Sequence, residues 1–180
     1  MYTDEENQMI QTYMSFKFLL ELHNLEFVKT KDYSELHFKD SFVHEQMKSM
    51  GIMNQGMIPP IMYMMLVMPR ELLSNQFSNE YKKINSFISS LNLNATSSYQ
   101  SDAIEINYIR HMRNAISHMN VTYDKTGAIF KDANNKQEQF SMNVDYQNLG
   151  VIIEKLSEIY TIYIEDIKIK QKTNKYLKRD

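Results

Sequence analysis

Tyr108-Ile109-Arg110-His111-Met112-Arg113-Asn114-Ala115-Ile116-Ser117-His118-Met119 is the stretch on which the reading of this chain turns. At about 100° per residue, Tyr108, Ile109, Met112, Ala115, Ile116 and Met119 fall on one arc of about 120°, which predicts an amphipathic helix packed on a core. Arg110, His111, Arg113, Asn114, Ser117 and His118 lie outside that arc. His111, Asn114 and His118 cluster within about 60° of one another, and Asn114 and His118 have the i,i+4 spacing at which side chains meet. Arg113 lies about 140° from His118 on the same wheel. A permanent cation, a neutral amide and a titratable imidazole thus share two helical turns, the parts needed to cut a phosphodiester by proton transfer and charge stabilisation. The competing reading is a solvated polar face. One ideal helix does not join guanidinium and ring, so either the helix ends near His118 or two copies face each other across a two-fold axis. An isologous dimer provides the second arrangement, and it is the one we expect.

Outward from this helix, Asp102 and Glu105 have capping-box spacing and predict its start. Leu91 to Ser101, rich in Asn and Ser, reads as loop. Downstream, Val121-Thr122-Tyr123 and Ala128-Ile129-Phe130 flank Asp124-Lys125-Thr126-Gly127, a hairpin signal, with Gln139 to Met142 as a possible third short strand. A final helix begins near Asp145, with Leu149, Ile152, Ile153, Leu156, Tyr160, Tyr163, Ile164 and Ile167 on one side. Upstream, residues 4–28 read as a first long helix, 29–58 as short helices or loop, and Pro59-Pro60 as a helix start. Ile61 to Val67 is apolar all round, hence a buried central helix that Pro69 should end or kink. Ser78 or Asn79 can cap a helix running to about Leu91. The expected architecture is mainly all-α: one domain over residues 1–180, a helical bundle with a small β-hairpin between its last two long helices.

Composition narrows the function classes. The 180 residues contain no cysteine, which removes disulfides and thiolate chemistry and fits a reducing, cytoplasmic setting. Residues 1–8 are acidic and polar, unlike a secretory leader. The run from Met57 to Met68, interrupted by two prolines, is short of the ~20 apolar residues that span a bilayer, so no membrane partner is expected. A formal net charge of −2 argues against non-specific coating of nucleic acid. Polyanion affinity would have to be local, at Arg110 with Arg113 or in the basic tail 168–180, which otherwise reads as a solvated terminus. The fourteen methionines read mainly as fillers of irregular core gaps. Metal chemistry is not expected: His111 and His118 are separated by about 10.5 Å of helical rise, too far for one zinc ion. His37 and His44, near Asp40 and Glu45, lack an obvious third ligand. Ser117 and His118 diverge as neighbours on a helix, and no glycine-rich phosphate loop is present.

Arg113-Asn114-Ala115-Ile116-Ser117-His118 resembles the R-x4–6-H signature of the HEPN superfamily, and Ile109 to His118 is similar to the (I/L)RNAxxH form found in bacterial members. The hairpin and closing helix, through Gly127, Phe130, Phe140 and Leu149, resemble a bacterial and plasmid-borne nuclease subgroup. So do Asn54-Gln55-Gly56 before the apolar helix and Pro69-Arg70-Glu71 after it. The likeness covers about residues 45–165. It implies a metal-independent endoribonuclease without cofactors, acting as a homodimer on RNA in toxin–antitoxin, abortive-infection or other anti-phage systems, with any antitoxin or regulator a separate chain. Arg113 would neutralise the transition state, His118 would be the general acid or base, and Asn114 would orient the phosphate or the imidazole. The ribose 2′-hydroxyl would attack, leaving a 2′,3′-cyclic phosphate. His111 and Arg110 are possible auxiliaries to which the family assigns no role. The alternative is a catalytically silent HEPN module that binds RNA, a nucleotide or a protein partner.

Overall fold

The computed structural model describes residues 3–69 and 76–177. The first helix, α1 (Asp4–Asn24), starts with a complete capping box: Glu6 N donates to Thr3 Oγ1 at 3.1 Å and Thr3 N donates to Glu6 Oε2 at 2.9 Å. It stops short of residue 28 because Glu26 turns left-handed (φ 50°) and a 3-10 turn, Phe27–Lys29, follows. Two short helices, α2 (Lys31–Ser34) and α3 (Ser41–Met50), fill the next stretch, as its broken pattern suggests. They close a satellite cluster of Val28, Tyr33 and Ile52.

The central helix α4 (Ile58–Leu66) carries its prolines in the first turn and buries Ile61, Met62, Met64, Met65 and Leu66. It ends three residues before Pro69, while Arg70 and Glu71 lie outside the described residues. Helix α5 (Ser78–Ser90) has Phe77 at its N-cap with no side-chain cap bond, so neither Ser78 nor Asn79 caps it. Helix α6 (Tyr108–Ser117) bears the polar motif, and α7 (Tyr146–Leu177) closes the chain. Tyr160 from α7 stacks on Tyr13 of α1 at 4.9 Å and donates its hydroxyl to the Met64 carbonyl, locking three helices together. Buried methionines at 9, 62, 64, 65, 112 and 142 serve as core filler, as expected, whereas Met14, Met50 and Met119 are exposed.

The β-element is larger than a hairpin. Strands β1 (Asn94–Ser97), β2 (Val121–Tyr123), β3 (Gly127–Ala133) and β4 (Gln139–Asp145) form one antiparallel sheet in the order β1-β4-β3-β2. Strand β1 falls where the composition predicts loop. Asn-Ala-Thr-Ser has weak strand propensity, and the ladder it shares with β4, Asn94 opposite Asn143 through Ser97 opposite Phe140, supplies the missing order. The sheet lays its inner face on α6 and α7. Ala128, Phe130 and Asp132 of β3 point inward, as do Phe140, Met142 and Val144 of β4. Period two therefore carries an acidic residue, Asp132, into the interior.

Candidate functional site

Helix α6 does not begin at the Asp102–Glu105 spacing. Its N-cap is Asn107, whose side chain accepts from Arg110 N at 3.0 Å. Asp102 sits in a 3-10 turn (Gln100–Asp102) and is used for something else. Its Oδ1 receives Arg110 Nη2 at 2.8 Å, and its Oδ2 receives Ser97 Oγ at 2.6 Å and faces His111 Nε2 at 2.7 Å.

His111, placed by the helical wheel among the polar residues, is fully buried. The apolar arc reads one neighbour of α6; the sheet is the second, and it covers the flank where His111 lies. Its ring is sandwiched: stacked on Phe140 at 4.2 Å with 8° between planes, and tilted against Tyr99 at 4.6 Å. The second ring nitrogen, Nδ1, faces Asp132 Oδ2 at 2.7 Å. Both ring nitrogens thus meet carboxylates, and Arg110 Nη2 also approaches Nε2 at 3.0 Å. The sheet register explains the meeting. Ser97, Phe140 and Asp132 stand opposite one another on β1, β4 and β3, making a single row beneath the ring.

Burial alone would raise the Asp102 carboxyl, but hydrogen bonds from Ser97 and His111, the His111 charge and a backbone bond from Asn107 outweigh it and hold it below its ordinary value. Burial pushes the Tyr99 phenol up to about 12, and the Asp132 charge adds to the effect. Arg110 is equally engaged: Nη1 donates to Ser101 Oγ at 2.9 Å, and the guanidinium lies over the Tyr99 ring at 5.2 Å. His111 and Arg110 are accordingly parts of a hydrogen-bonded, largely buried network.

Asn114 links that network to Arg113. Its Nδ2 donates to Asp132 Oδ2 at 3.1 Å, while its Oδ1 accepts from Arg113 Nη2 at 3.1 Å. Arg113 lines a cleft of about 810 Å³ between α5 and α6, with Tyr81, Lys82, Asn85 and Arg110 among its walls. Burial pushes the Tyr81 phenol up to about 12, against the pull of the Arg113 charge.

His118 occupies the opposite end of the helix. It is the C-cap residue, exposed, and its ring makes no hydrogen bond among the described residues. It does not line the Arg113 cleft. Immediately after it, Met119 turns left-handed (φ 55°) and is 80% exposed, so it leaves the apolar face on which the helical wheel puts it. Met119 instead borders an apolar notch with Pro59, Pro60 and Tyr63. The structure thus joins His111, Asn114 and Arg113 through side chains and leaves His118 apart from them. The sequence reading missed Asp102 as a ligand of His111, and missed Asp132 altogether. Asp102 misled by its spacing to Glu105; the signal for Asp132 is its place at i+2 from Phe130 in a strand whose even positions are apolar.

A mainly helical domain with a small antiparallel sheet, and an Arg-Asn pair with a histidine five positions on, is the class that fold and site define. A family model described as HEPN pEK499 p136 matches residues 1–167. The chain belongs to this HEPN family, which extends the likeness to the N-terminal helices as well. No curated protein and no solved structure gives a significant match.

Proposed function

We propose that this protein is a metal-independent endoribonuclease in which Arg113 and His118 act on the same phosphodiester. The observation that carries the reading is the contrast along α6: Arg113 is held by the Asn114 amide at 3.1 Å, while His118 is exposed at the helix end, with no hydrogen bond to its ring among the described residues. A preorganised guanidinium suits a phosphate whose charge grows in the transition state. An accessible imidazole suits proton transfer at neutral pH. In the reaction the substrate 2′-hydroxyl attacks phosphorus, its proton passes to a base, and the P–O5′ bond breaks as the leaving oxygen gains a proton. His118 serves one of these transfers.

Because one chain holds Arg113 and His118 on different faces, the complete centre is a composite of two protomers. The apolar notch beside His118, with Tyr63 48% and Met119 80% exposed, supports that pairing as surface for a second copy to cover. The test is incubation of the purified protein with RNA in EDTA, with product ends identified by mass. Cleavage to 2′,3′-cyclic phosphate, lost in both Arg113→Ala and His118→Ala, supports the enzyme. The separation of the two side chains also favours a second reading, a silent module that holds RNA or a partner without cutting. Binding without cleavage would select it. A role in anti-phage defence would follow from the family resemblance and from the RNA that is cut.

A further inference from the structure

We infer that Asp132 and His111 are positioning residues for Arg113, acting through Asn114. Its catalytic consequence rests on the ribonuclease reading; its geometry does not. Four side chains form one line from the interior to the cleft. The His111 ring, fixed by Phe140 and Asp102, meets Asp132 Oδ2 at 2.7 Å; the same oxygen accepts Asn114 Nδ2 at 3.1 Å; and Asn114 Oδ1 accepts Arg113 Nη2 at 3.1 Å.

The direction of the Asn114 amide follows from its neighbours. A flipped amide would set its oxygen against the Asp132 carboxylate and its NH₂ against the guanidinium, two repulsive contacts in place of two attractive ones. Asp132 therefore decides which end of Asn114 faces the cleft, and an acceptor facing the cleft holds the guanidinium by one Nη. His111 holds Asp132 in turn: the buried carboxylate oxygen sits between the ring Nδ1 and the Asn114 amide donor, and leaving that position would cost it both contacts. None of the three needs to touch a substrate. The amide that the family motif places after the arginine thus orients the arginine.

The test uses the full chain and two readouts. The first is independent of activity: the guanidinium ¹⁵N spectrum, with Arg113 assigned by its loss in Arg113→Lys. Slowed rotation about the Arg113 guanidinium in the wild type, lost in both Asn114→Ala and Asp132→Asn, supports the inference. Unchanged Arg113 signals in either folded variant overturn it. Asn114→Ala leaves the His111–Asp132 contact intact and so guards against a variant that fails to fold. The second readout is kinetic. Asn114→Ala should lower kcat about tenfold with little change in KM, the loss of one hydrogen bond to a charged group. In the Arg113→Lys background the same substitution should cost less than about twofold, because its target fork is gone. A full tenfold loss in both backgrounds overturns the inference, since it would mean that Asn114 acts elsewhere. If the wild type cuts no RNA, the ribonuclease reading fails while the guanidinium spectrum still decides the positioning.

Discussion

The two ends of α6 are built on opposite plans. At its root, Arg110 and His111 are enclosed by Asp102, Asp132, Tyr99 and Phe140, drawn from a 3-10 turn with its N-cap and from two strands, β3 and β4. At its tip, His118 caps the helix in the open, followed by a left-handed residue and bordered by apolar surface. The two histidines are the same chemical group seven residues apart. The first is spent on structure, and the second is left available. Position on an amphipathic helix does not separate these fates; what lies over each face does.

The sharpest way to break this comparison is to delete each ring. His111→Ala strips buried Asp132 of its ring partner and leaves Asp102 with Arg110 alone, and breaking a buried pair in this way costs about 3–5 kcal/mol. His118→Ala removes an exposed ring and should stay within about 0.5 kcal/mol. Urea midpoints of the two variants measure the difference. Equal losses would mean that the root is not the anchor described here. On the proposed ribonuclease reading, RNA cleavage should show a different pattern: the His118→Ala protein, folded and stable, loses about 10²–10⁴-fold in rate, the usual worth of a positioned acid or base.

Most of the helical frame is legible in the sequence because its apolar residues recur at helical period. The turn prolines start α4 where expected, and the hairpin signal at Asp124 to Gly127 joins β2 to β3. What is not legible comes from contacts distant in sequence. Strand β1 is ordered by a partner more than forty residues away, so local composition reads it as loop. Asp102 has the spacing of a helix cap but is claimed by His111 and Ser97. Within the site, Arg113 and Asn114 come out adjacent and bonded, whereas their relation to His118 needs a second surface that one chain's pattern does not encode. The basic tail runs on as helix to Leu177, and Lys168 is paired with Glu165 at 2.6 Å; residues 178–180 lie outside the described residues.

A second test strikes the sheet that holds the root. A Cβ on Gly127 would stand 2.1 Å from the Val144 carbonyl oxygen and 2.7 Å from Asp145 Cα, backbone atoms that cannot swing aside. Gly127→Ala should therefore push β3 from β4 and cost about 1–3 kcal/mol by overpacking. Because the same pairing sets Asp132 opposite Phe140, the variant should also disturb the His111 ring, visible as a shift of its proton resonances. Stability lost with the His111 signals unmoved would show that the root is indifferent to sheet register. Asn107→Ala comes next, at about 1 kcal/mol, the ordinary cost of losing an N-cap.

The smallest effect expected is the acid response of Asp102 at the root, because only its preference for the charged form contributes. Asp102 titrates below its ordinary value in the folded protein, so its contribution is fully present above the unfolded carboxylate's titration range and is lost as pH falls through the folded value. Exposed Asp124 and Asp145 are also held low, by hydrogen bonds from Thr126 and from Asn148 respectively, as are Glu26, Glu45 and Glu138, so a bulk acid-unfolding curve mixes them all. Carboxyl-carbon NMR separates them. The Asp102 resonance should move only below the ordinary aspartate range. An Asp102 that titrated at or above the ordinary value would mean that burial had overcome its partners. The root would then not be a charged anchor, and the contrast with the open tip would shrink to one of packing alone.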